Sequence, residues 1–372
     1  MKNEMEMTGG ESKEGLPECL DQSLMVNFLG LQIQIESNHR PLLEYVHEHF
    51  KGMSLWQNGT SSEICVRSYW LTGTWDPETH PFGHSDQLNT LGKRMVGNHR
   101  QLIWRNTLKM KGLQLRFQKK EKQYVFDVVY FFNPKKEKLD RLPEYEYKKY
   151  FSLTSYLTYY PGIWYLERHR GMTPIHASAL NTEQGAVLIG GLGGVGKTTT
   201  CVALMQQANM TLISENLVLT DGTWIYPCFE PIRLNETSIT MLHNQQVGLT
   251  PMKFPEGLKE KWLFHMDSSC IPEKTKPAAL FLPVFSFKRY VKRVEPRLAA
   301  EKMIAMNHLT RELDDYYWYA AALNMQWPQE NLTLNRYDAL YRCLQDIPCF
   351  ELGICREEGI QAVVEDITRH LS

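Results

Sequence analysis

A run of eight residues from Gly191 to Thr198 has the types and spacing of a phosphate-binding loop. It reads Gly-Leu-Gly-Gly-Val-Gly-Lys-Thr and fits the pattern G-x-x-x-x-G-K-S/T. Glycines let successive backbone N–H groups curl around a phosphate, where a Cβ atom would obstruct them. The lysine brings a mobile positive charge to the β- and γ-phosphates, and the threonine hydroxyl is a ligand for Mg²⁺. The pattern therefore predicts a site for a nucleoside triphosphate.

The residues around the loop support this prediction. An apolar run at 186–189 precedes the loop as a buried strand would, and a helical pattern follows it through Cys201, Leu204 and Met205. No Asn-Lys-x-Asp guanine signature occurs in the chain, which favours ATP, with Mg²⁺, over GTP. The predicted ATP contacts lie in the loop and in the first turn of the helix: Gly191, Gly193, Gly194, Val195, Gly196, Lys197, Thr198 and Thr199.

Two titratable residues stand at informative distances from the loop. His176 comes fifteen residues before Gly191, in His-Ala-Ser-Ala-Leu, at the start of the preceding apolar hairpin. Glu215 ends the next predicted strand, in Leu-Ile-Ser-Glu-Asn, where a carboxylate can face a metal ion held with Thr198. The alternatives are a hydrogen-bonded structural histidine and a surface carboxylate.

This constellation resembles HPr kinase/phosphorylase and its relatives, whose fold is shared with phosphoenolpyruvate carboxykinase. That family carries a His-initiated strand ahead of its phosphate loop, and the spacing from His176 to Gly191 looks the same. Softer similarities bring the resemblance to about residues 150–370: Glu230-Pro-Ile-Arg233-Leu, Glu260-Lys261-Trp262, Ala279-Leu-Phe-Leu-Pro283 and Ile347-Pro-Cys-Phe-Glu-Leu352. The first 140 residues resemble, in layout alone, the variable amino-terminal region of kinases such as those of lasso-peptide clusters.

The resemblance implies a kinase that moves the γ-phosphoryl group of ATP to a hydroxyl in one in-line step. It implies that Lys197 neutralises phosphate charge, that Glu215 accepts the hydroxyl proton, and that His176 lies near the γ-phosphate. Asn216 stands where the family has a second aspartate, and Thr199 stands where the bacterial HPr enzymes have a glutamate. These departures leave phosphotransfer as the expectation but put the phosphorylase reaction in doubt.

Three further residues are candidate contacts with phosphate or substrate. Asn216 follows Glu215 directly, and its alternative role is to form a turn. Arg233 and Lys261 carry positive charges that can clamp a phosphate or an acidic substrate, and their alternative is a solvated surface position.

The predicted strands and helices that position these residues indicate an α+β fold with two domains. Residues 1–22 are polar and predict a disordered tail, and residues 23–140 predict a smaller mixed α+β amino-terminal domain suspected of substrate recognition. In that domain the alternation from Leu29 to Ile35 predicts a strand, Pro41 opens a predicted helix, and two apolar runs around the lysine-rich turn at 119–122 predict a hairpin. The charged segment 134–143, which contains two prolines, predicts a linker. Residues 145–372 predict the ATP-binding catalytic domain of HPr kinase type. Within it, Asp221-Gly222 predicts a two-residue hairpin, and a single helix is expected over about 301–324.

Composition excludes several classes of protein. Forty-one basic and forty-two acidic residues give a net charge of −1, which argues against a nucleic-acid binder. The eight cysteines form no Cys-x-x-Cys pair, and no segment reaches the ~18 apolar residues of a membrane span. With no signal peptide at the amino terminus, a cytoplasmic protein is expected, and a homo-oligomer stays open.

The resemblance implies a Ser or Thr hydroxyl of a peptide or small protein, such as a natural-product precursor peptide, as the phosphoryl acceptor. A free small molecule such as serine is the alternative acceptor. A regulatory module that holds ATP without transferring it is the alternative class, favoured by Asn216 in place of an aspartate. A remodelling ATPase is disfavoured because the chain has no apolar run that ends in Asp-Glu. Carboxykinase chemistry is disfavoured because the chain lacks an added His/Lys/Asp cluster for manganese.

Overall fold

The structure, a computed structural model, is a mixed α+β fold, as the sequence predicts. It describes residues 16, 20, 22–56, 61–72, 81–82, 88–107, 110, 112–132, 149–208, 210–241, 249–252, 261–264 and 270–371. The predicted linker at 134–143 lies outside this part of the chain. So does the predicted tail, apart from residues 16 and 20 and Gln22, which begins the first strand.

The amino-terminal region forms a nine-stranded sheet among the described residues, in the order β3-β1-β2-β4-β9-β8-β7-β6-β5. Its strands are β1 (Gln22–Phe28), β2 (Leu31–Ser37), β3 (Ser54–Trp56), β4 (Ile64–Thr72), β5 (Asn89–Gly92), β6 (Met95–Asn98), β7 (Gln101–Arg105), β8 (Leu113–Lys120) and β9 (Gln123–Phe132). Helix α1 (Arg40–His49) joins this region, with a proline in its first turn as predicted.

Local patterns explain the central strands. Strand β2 alternates buried and half-buried residues along its length, as the sequence predicts for one covered face. The predicted hairpin is confirmed, because β8 and β9 pair antiparallel up to Lys120 and Gln123. The lysine-rich turn thus lies at the end of the ladder.

The helices that cover this sheet come from later in the chain. Residues 149–154 are helical, a π turn follows at Ser155–Tyr159, and α2 (Tyr160–Arg170) ends at Gly171 in the left-handed conformation. Pro161 has no N–H to donate, which matches the irregular turn before it. The tyrosines at 150, 156, 159 and 160 pack into the core of the nine-stranded sheet.

The second large sheet has six strands in the described part of the chain, in the order β13-β11-β12-β19-β21-β20. Its strands are β11 (Ala177–Thr182), β12 (Gly185–Gly190), β13 (Thr211–Ser214), β19 (Pro277–Phe285), β20 (Tyr290–Val294) and β21 (Cys349–Ile354). Strands β12, β19 and β21 run parallel, so their carboxyl ends meet at one edge. Ligands bind in crevices at such an edge.

Helices cover both faces of this sheet. Helix α3 (Lys197–Gln207) and α8 (Gly359–Arg369) share one core with the face that carries Ile189 and Phe281. Helix α5 (Pro296–Leu309) and α7 (Leu332–Leu344) share the other core with Leu188 and Leu280. Neighbouring residues of β12 and of β19 thus enter opposite cores, as expected for strands that are buried on both faces.

The structure also contains two small three-stranded sheets. One contains β10 (Thr173–Ile175), β14 (Val218–Thr220) and β15 (Ile225–Pro227), and the other β16 (Ile232–Leu234), β17 (Leu249–Met252) and β18 (Lys261–Phe264). A short α4 (Glu236–Met241) follows β16. The predicted β14–β15 hairpin exists, but its loop is longer than two residues because Thr220 pairs with Ile225. The Asp221 carboxylate accepts from the N–H groups of Thr223 and Trp224, which stabilises this wider turn.

The long helix predicted over 301–324 is wrong in one respect that matters for the site. It is two helices, α5 and α6 (Arg311–Gln326), separated by Thr310 in an extended conformation. Thr310 donates its hydroxyl to the Asn307 carbonyl, and its own carbonyl accepts from Asp314. The break gives α6 a new first turn, which carries Glu312, and the charge of this carboxylate acts on Lys197 and His176.

Helix α6 belongs to the core of the nine-stranded sheet through Leu313, Tyr316 and Tyr319. That sheet therefore shares its core with elements from both sides of the phosphate loop. The division into domains at 23–140 and 145–372 stays a prediction. No helix in the described ranges has the length and apolar character to cross a membrane.

Candidate nucleotide-binding site

The predicted phosphate loop connects β12 to α3. Gly194 and Gly196 have φ of 87° and 90°, which favour glycine at both positions. A Cβ atom added at Gly193, Gly194 or Gly196 would meet no heavy atom within 4 Å. These glycines therefore face open space, and the loop leads into the amino end of α3, where backbone N–H groups favour an anion.

Lys197 is buried at the start of α3 and folds back over its own loop. Its Nζ donates to the carbonyls of Gly191 at 2.9 Å and Leu192 at 3.1 Å. Burial lowers the pKa of Lys197, and the carboxylates of Glu215 and Glu312 oppose that change. The ammonium group is thus held at the mouth of the loop by neutral acceptors that a phosphate oxygen can replace.

Thr198 and Glu215 are in contact, as a shared metal site requires. The Thr198 hydroxyl donates to Oε1 of Glu215, and the Ser178 hydroxyl of β11 donates to the Glu215 carbonyl. Glu215 directly follows β13 and is largely buried. The structure places these two side chains in contact, and the metal site itself stays a prediction.

Asn216 is paired with a second carboxylate. Its Nδ2 donates to Oε2 of Glu230 at 2.9 Å. The pKa of Glu230 is raised overall, chiefly by burial and also by the charge of Glu215. The charge of Arg233 and the hydrogen bond from Asn216 oppose this change. The Asn216 side chain therefore contacts a carboxylate that comes from the segment after β15.

Arg233 lies between two carboxylates. Its Nη2 is 3.9 Å from Oε1 of Glu230 and 3.5 Å from Oε1 of Glu312, and its guanidinium lies 5.3 Å from the centroid of the Phe151 ring. Burial alone would raise the pKa of Glu312, but Arg233 and a backbone hydrogen bond lower it overall. Arg233 is thus partly exposed and ion-paired, and its contact with phosphate or substrate stays a prediction.

His176 is buried close to the charged groups of Lys197, Arg233 and Glu312. Its backbone N–H donates to Oδ1 of Asn307 at 3.0 Å, while neither ring nitrogen has a hydrogen-bond partner in the structure. Burial and the positive charge of Lys197 lower the pKa of His176 to about 4, against the opposing charge of Glu312. The ring is thus neutral at pH 7, with two polar atoms that a ligand can satisfy.

The buried imidazole predicts a pH dependence of stability. Because the unfolded chain takes up this proton near pH 6.5 and the folded chain only near pH 4, stability is lost as pH falls through that window. Between pH 7 and pH 5 we expect His176 to account for a loss of about 2 kcal/mol. Urea unfolding at the two pH values measures it, and His176→Gln should remove this part. An equal loss in the variant would assign it to other groups.

The structure thus brings His176, Lys197, Thr198, Glu215, Asn216 and Arg233 together. Val195 packs a methyl group against Gly191, and Thr199 lies half-buried in the first turn of α3. Lys261 begins β18 and pairs with Met252 through its backbone, and its side chain lies outside the described part of the structure. Its role stays a prediction.

Sequence reasoning missed Glu312 and left Glu230 as a soft similarity only. Glu312 lies in the first turn of α6, which the predicted continuous helix concealed. A signal was present, because Thr310 followed by acidic Glu312 and Asp314 is typical of a helix start.

The oxygen donors at the loop suit magnesium. Mg²⁺ is usually held by one or two carboxylates together with phosphate oxygens and waters, and Thr198 and Glu215 offer such a set. Across the described residues no group of three or more His, Cys, Asp or Glu side chains could hold a metal ion by itself.

Neither the models of known protein families nor the curated proteins give a match to this chain, so its function is inferred from its own residues.

Proposed function

We propose that this chain is an ATP-dependent kinase with a catalytic region of HPr kinase type, which phosphorylates a Ser or Thr hydroxyl. One observation carries the proposal. The hydroxyl of Thr198 at the end of the phosphate loop donates to the buried carboxylate of Glu215. That contact supplies an oxygen pair for Mg²⁺ beside a loop whose glycines at 193, 194 and 196 face open space.

The transfer follows from this arrangement. The acceptor hydroxyl oxygen attacks the γ-phosphorus, a new O–P bond forms, and the bond to the oxygen that bridges to the β-phosphate breaks, which releases ADP. The hydroxyl proton passes to Glu215 and from there to solvent. When bound, Mg²⁺ neutralises charge on the phosphate oxygens.

The other residues of the site have supporting roles. Lys197 leaves the carbonyls of its own loop and binds the β- and γ-phosphate oxygens. Neutral His176 offers a ring nitrogen to the γ-phosphate or the acceptor. Arg233 is available to a phosphate or an acidic group of the acceptor, because its Nη2 lies as far as 3.5 Å from Oε1 of Glu312 and 3.9 Å from Oε1 of Glu230.

A peptide or small protein is the acceptor that we favour, with the nine-stranded sheet as its recognition region. Helix α6 supports this choice, because it places Glu312 in the site and Leu313 in the core of that sheet. The carboxylate of Glu230 beside Asn216 favours a kinase over a regulatory module, since it brings a second acidic side chain close to Glu215.

Mass spectrometry of Ser- and Thr-containing peptides and of free serine, incubated with the protein and Mg-ATP, tests the proposal. We expect one phosphoryl group on one acceptor class, and a rate about 10²–10³-fold lower for Lys197→Met. Lys276→Met, at an exposed lysine directly before β19 and at the opposite end of that strand from the loop, is the matched control and should transfer at the wild-type rate. Transfer that is insensitive to Lys197, or no binding of ATP, would overturn the proposal.

A further inference from the structure

Exposed aromatic rings stand at the same edge of the sheet as the phosphate loop. Strand β12 ends in that loop, and the parallel strand β19 ends at Phe285, whose ring is 45% exposed. Two residues later the Phe287 side chain is fully exposed, at 101%. Both rings are therefore accessible to a ligand that binds at this edge of the sheet.

Phe285 lies on the face of the sheet that carries the loop helix. Phe281 packs in one core with Cys201 and Leu204 of α3, and side chains at even spacing along a strand share a face. Pro283, on the same face, lies 3.5 Å from the position of a Cβ at Gly191. Phe285 is the next residue on that face, so it lies one step beyond the contact with the loop.

Arg356 covers this ring. Phe285 pairs with Ile354 across β19 and β21, and Arg356 follows two residues later. Its guanidinium carbon lies 4.0 Å from the centroid of the Phe285 ring. A planar cation on an aromatic ring is a stacking surface ready before a ligand arrives.

The order of the strands separates the two ends of a bound nucleotide. Glu215 follows β13, which lies on one side of β12 with β11 between them, whereas β19 and β21 lie on the other side. If the γ-phosphate points toward Glu215, the nucleoside extends toward β19. We propose that Phe285 and Arg356 form the stacking platform for the base of the nucleotide whose phosphates occupy the 191–198 loop.

This platform selects the class of base by its area. Stacking is tolerant of sequence because every base has a π face, and purines offer more of it than pyrimidines. The platform therefore favours a purine nucleoside triphosphate and separates ATP from GTP weakly.

The proposal rests on the proposed nucleotide binding, and titration calorimetry with two probes separates the two. Mg-ATP contains the base, whereas inorganic tripolyphosphate with Mg²⁺ contains only the phosphates. We expect Phe285→Ala and Arg356→Ala each to weaken ATP binding by about 5- to 150-fold and to leave tripolyphosphate binding unchanged. Trp56→Ala is the control, since Trp56 is 44% exposed on the edge strand β3 of the other large sheet.

Each outcome decides one question. Wild-type affinity for ATP in both variants would overturn the platform while leaving the phosphate loop intact. Equal losses for ATP and tripolyphosphate would also overturn it, because the change would then act on the phosphates. Failure of the wild-type protein to bind either probe would instead contradict the proposed nucleotide site.

Discussion

Replacing Glu215 with glutamine is expected to lower the rate of phosphoryl transfer by about 10²–10⁴-fold, the range of a lost general base. Glutamine keeps the size of the side chain and an oxygen that accepts from Thr198, but it cannot take the acceptor proton. The loss should therefore appear in kcat, and a weaker affinity for Mg-ATP should accompany it because Glu215 is also the proposed oxygen donor to Mg²⁺. Steady-state kinetics at saturating acceptor, with ATP varied, separate the two effects.

Glu183→Gln is the matched control for this substitution. Glu183 is exposed in the turn before β12, at the opposite end of that strand from the phosphate loop. We expect the control variant to keep the wild-type kcat. A Glu215→Gln enzyme with an undiminished kcat would show that another group, such as Glu230, accepts the proton.

The conformation of the 191–198 loop was predictable because its pattern is local. Each residue of the pattern lies within eight positions of the chain, and Gly194 and Gly196 adopt the positive φ that favours glycine. Glu215 was also predictable, since a strand that follows the loop helix ends beside the loop. The contact with Thr198 follows from that topology.

The rest of the site depends on contacts distant in sequence. Glu312 reaches His176 and Arg233 only because Thr310 breaks a helix that periodicity alone predicts to be continuous. Glu230 reaches Asn216 across a hairpin whose loop length was mistaken. Neither pairing has a period or a motif that a single sequence displays.

The fold shows the same division between local and distant signals. Alternating burial predicted β2, and two strands around a lysine turn predicted the β8–β9 hairpin. The sequence did not predict that these strands join one nine-stranded sheet, nor that Tyr316 and Tyr319 of α6 complete its core. Which helix covers which sheet depends on the summed burial of many residues.

Replacing Arg336 with methionine is expected to lower the free energy of unfolding by about 3–5 kcal/mol. Arg336 of α7 donates from Nε and Nη2 to the two carboxylate oxygens of Glu167 in α2, at 2.6 and 2.7 Å. Tyr316 of α6 donates to the same carboxylate at 2.7 Å. All three residues are buried, so the substitution leaves Glu167 charged without its cation.

Urea unfolding measures this loss, and Arg297→Met is the control, because Arg297 is 79% exposed and its ion pair contributes less than about 1 kcal/mol. The double variant Glu167→Gln/Arg336→Met should regain most of the stability, since it removes the uncompensated charge. A double variant as unstable as the single one would assign the loss to packing, where Arg336 lies 4.2 Å from the Tyr317 ring centroid. Because Tyr316 and Glu312 share α6, loosening this buried network should also weaken the placement of Glu312 beside His176 and Arg233.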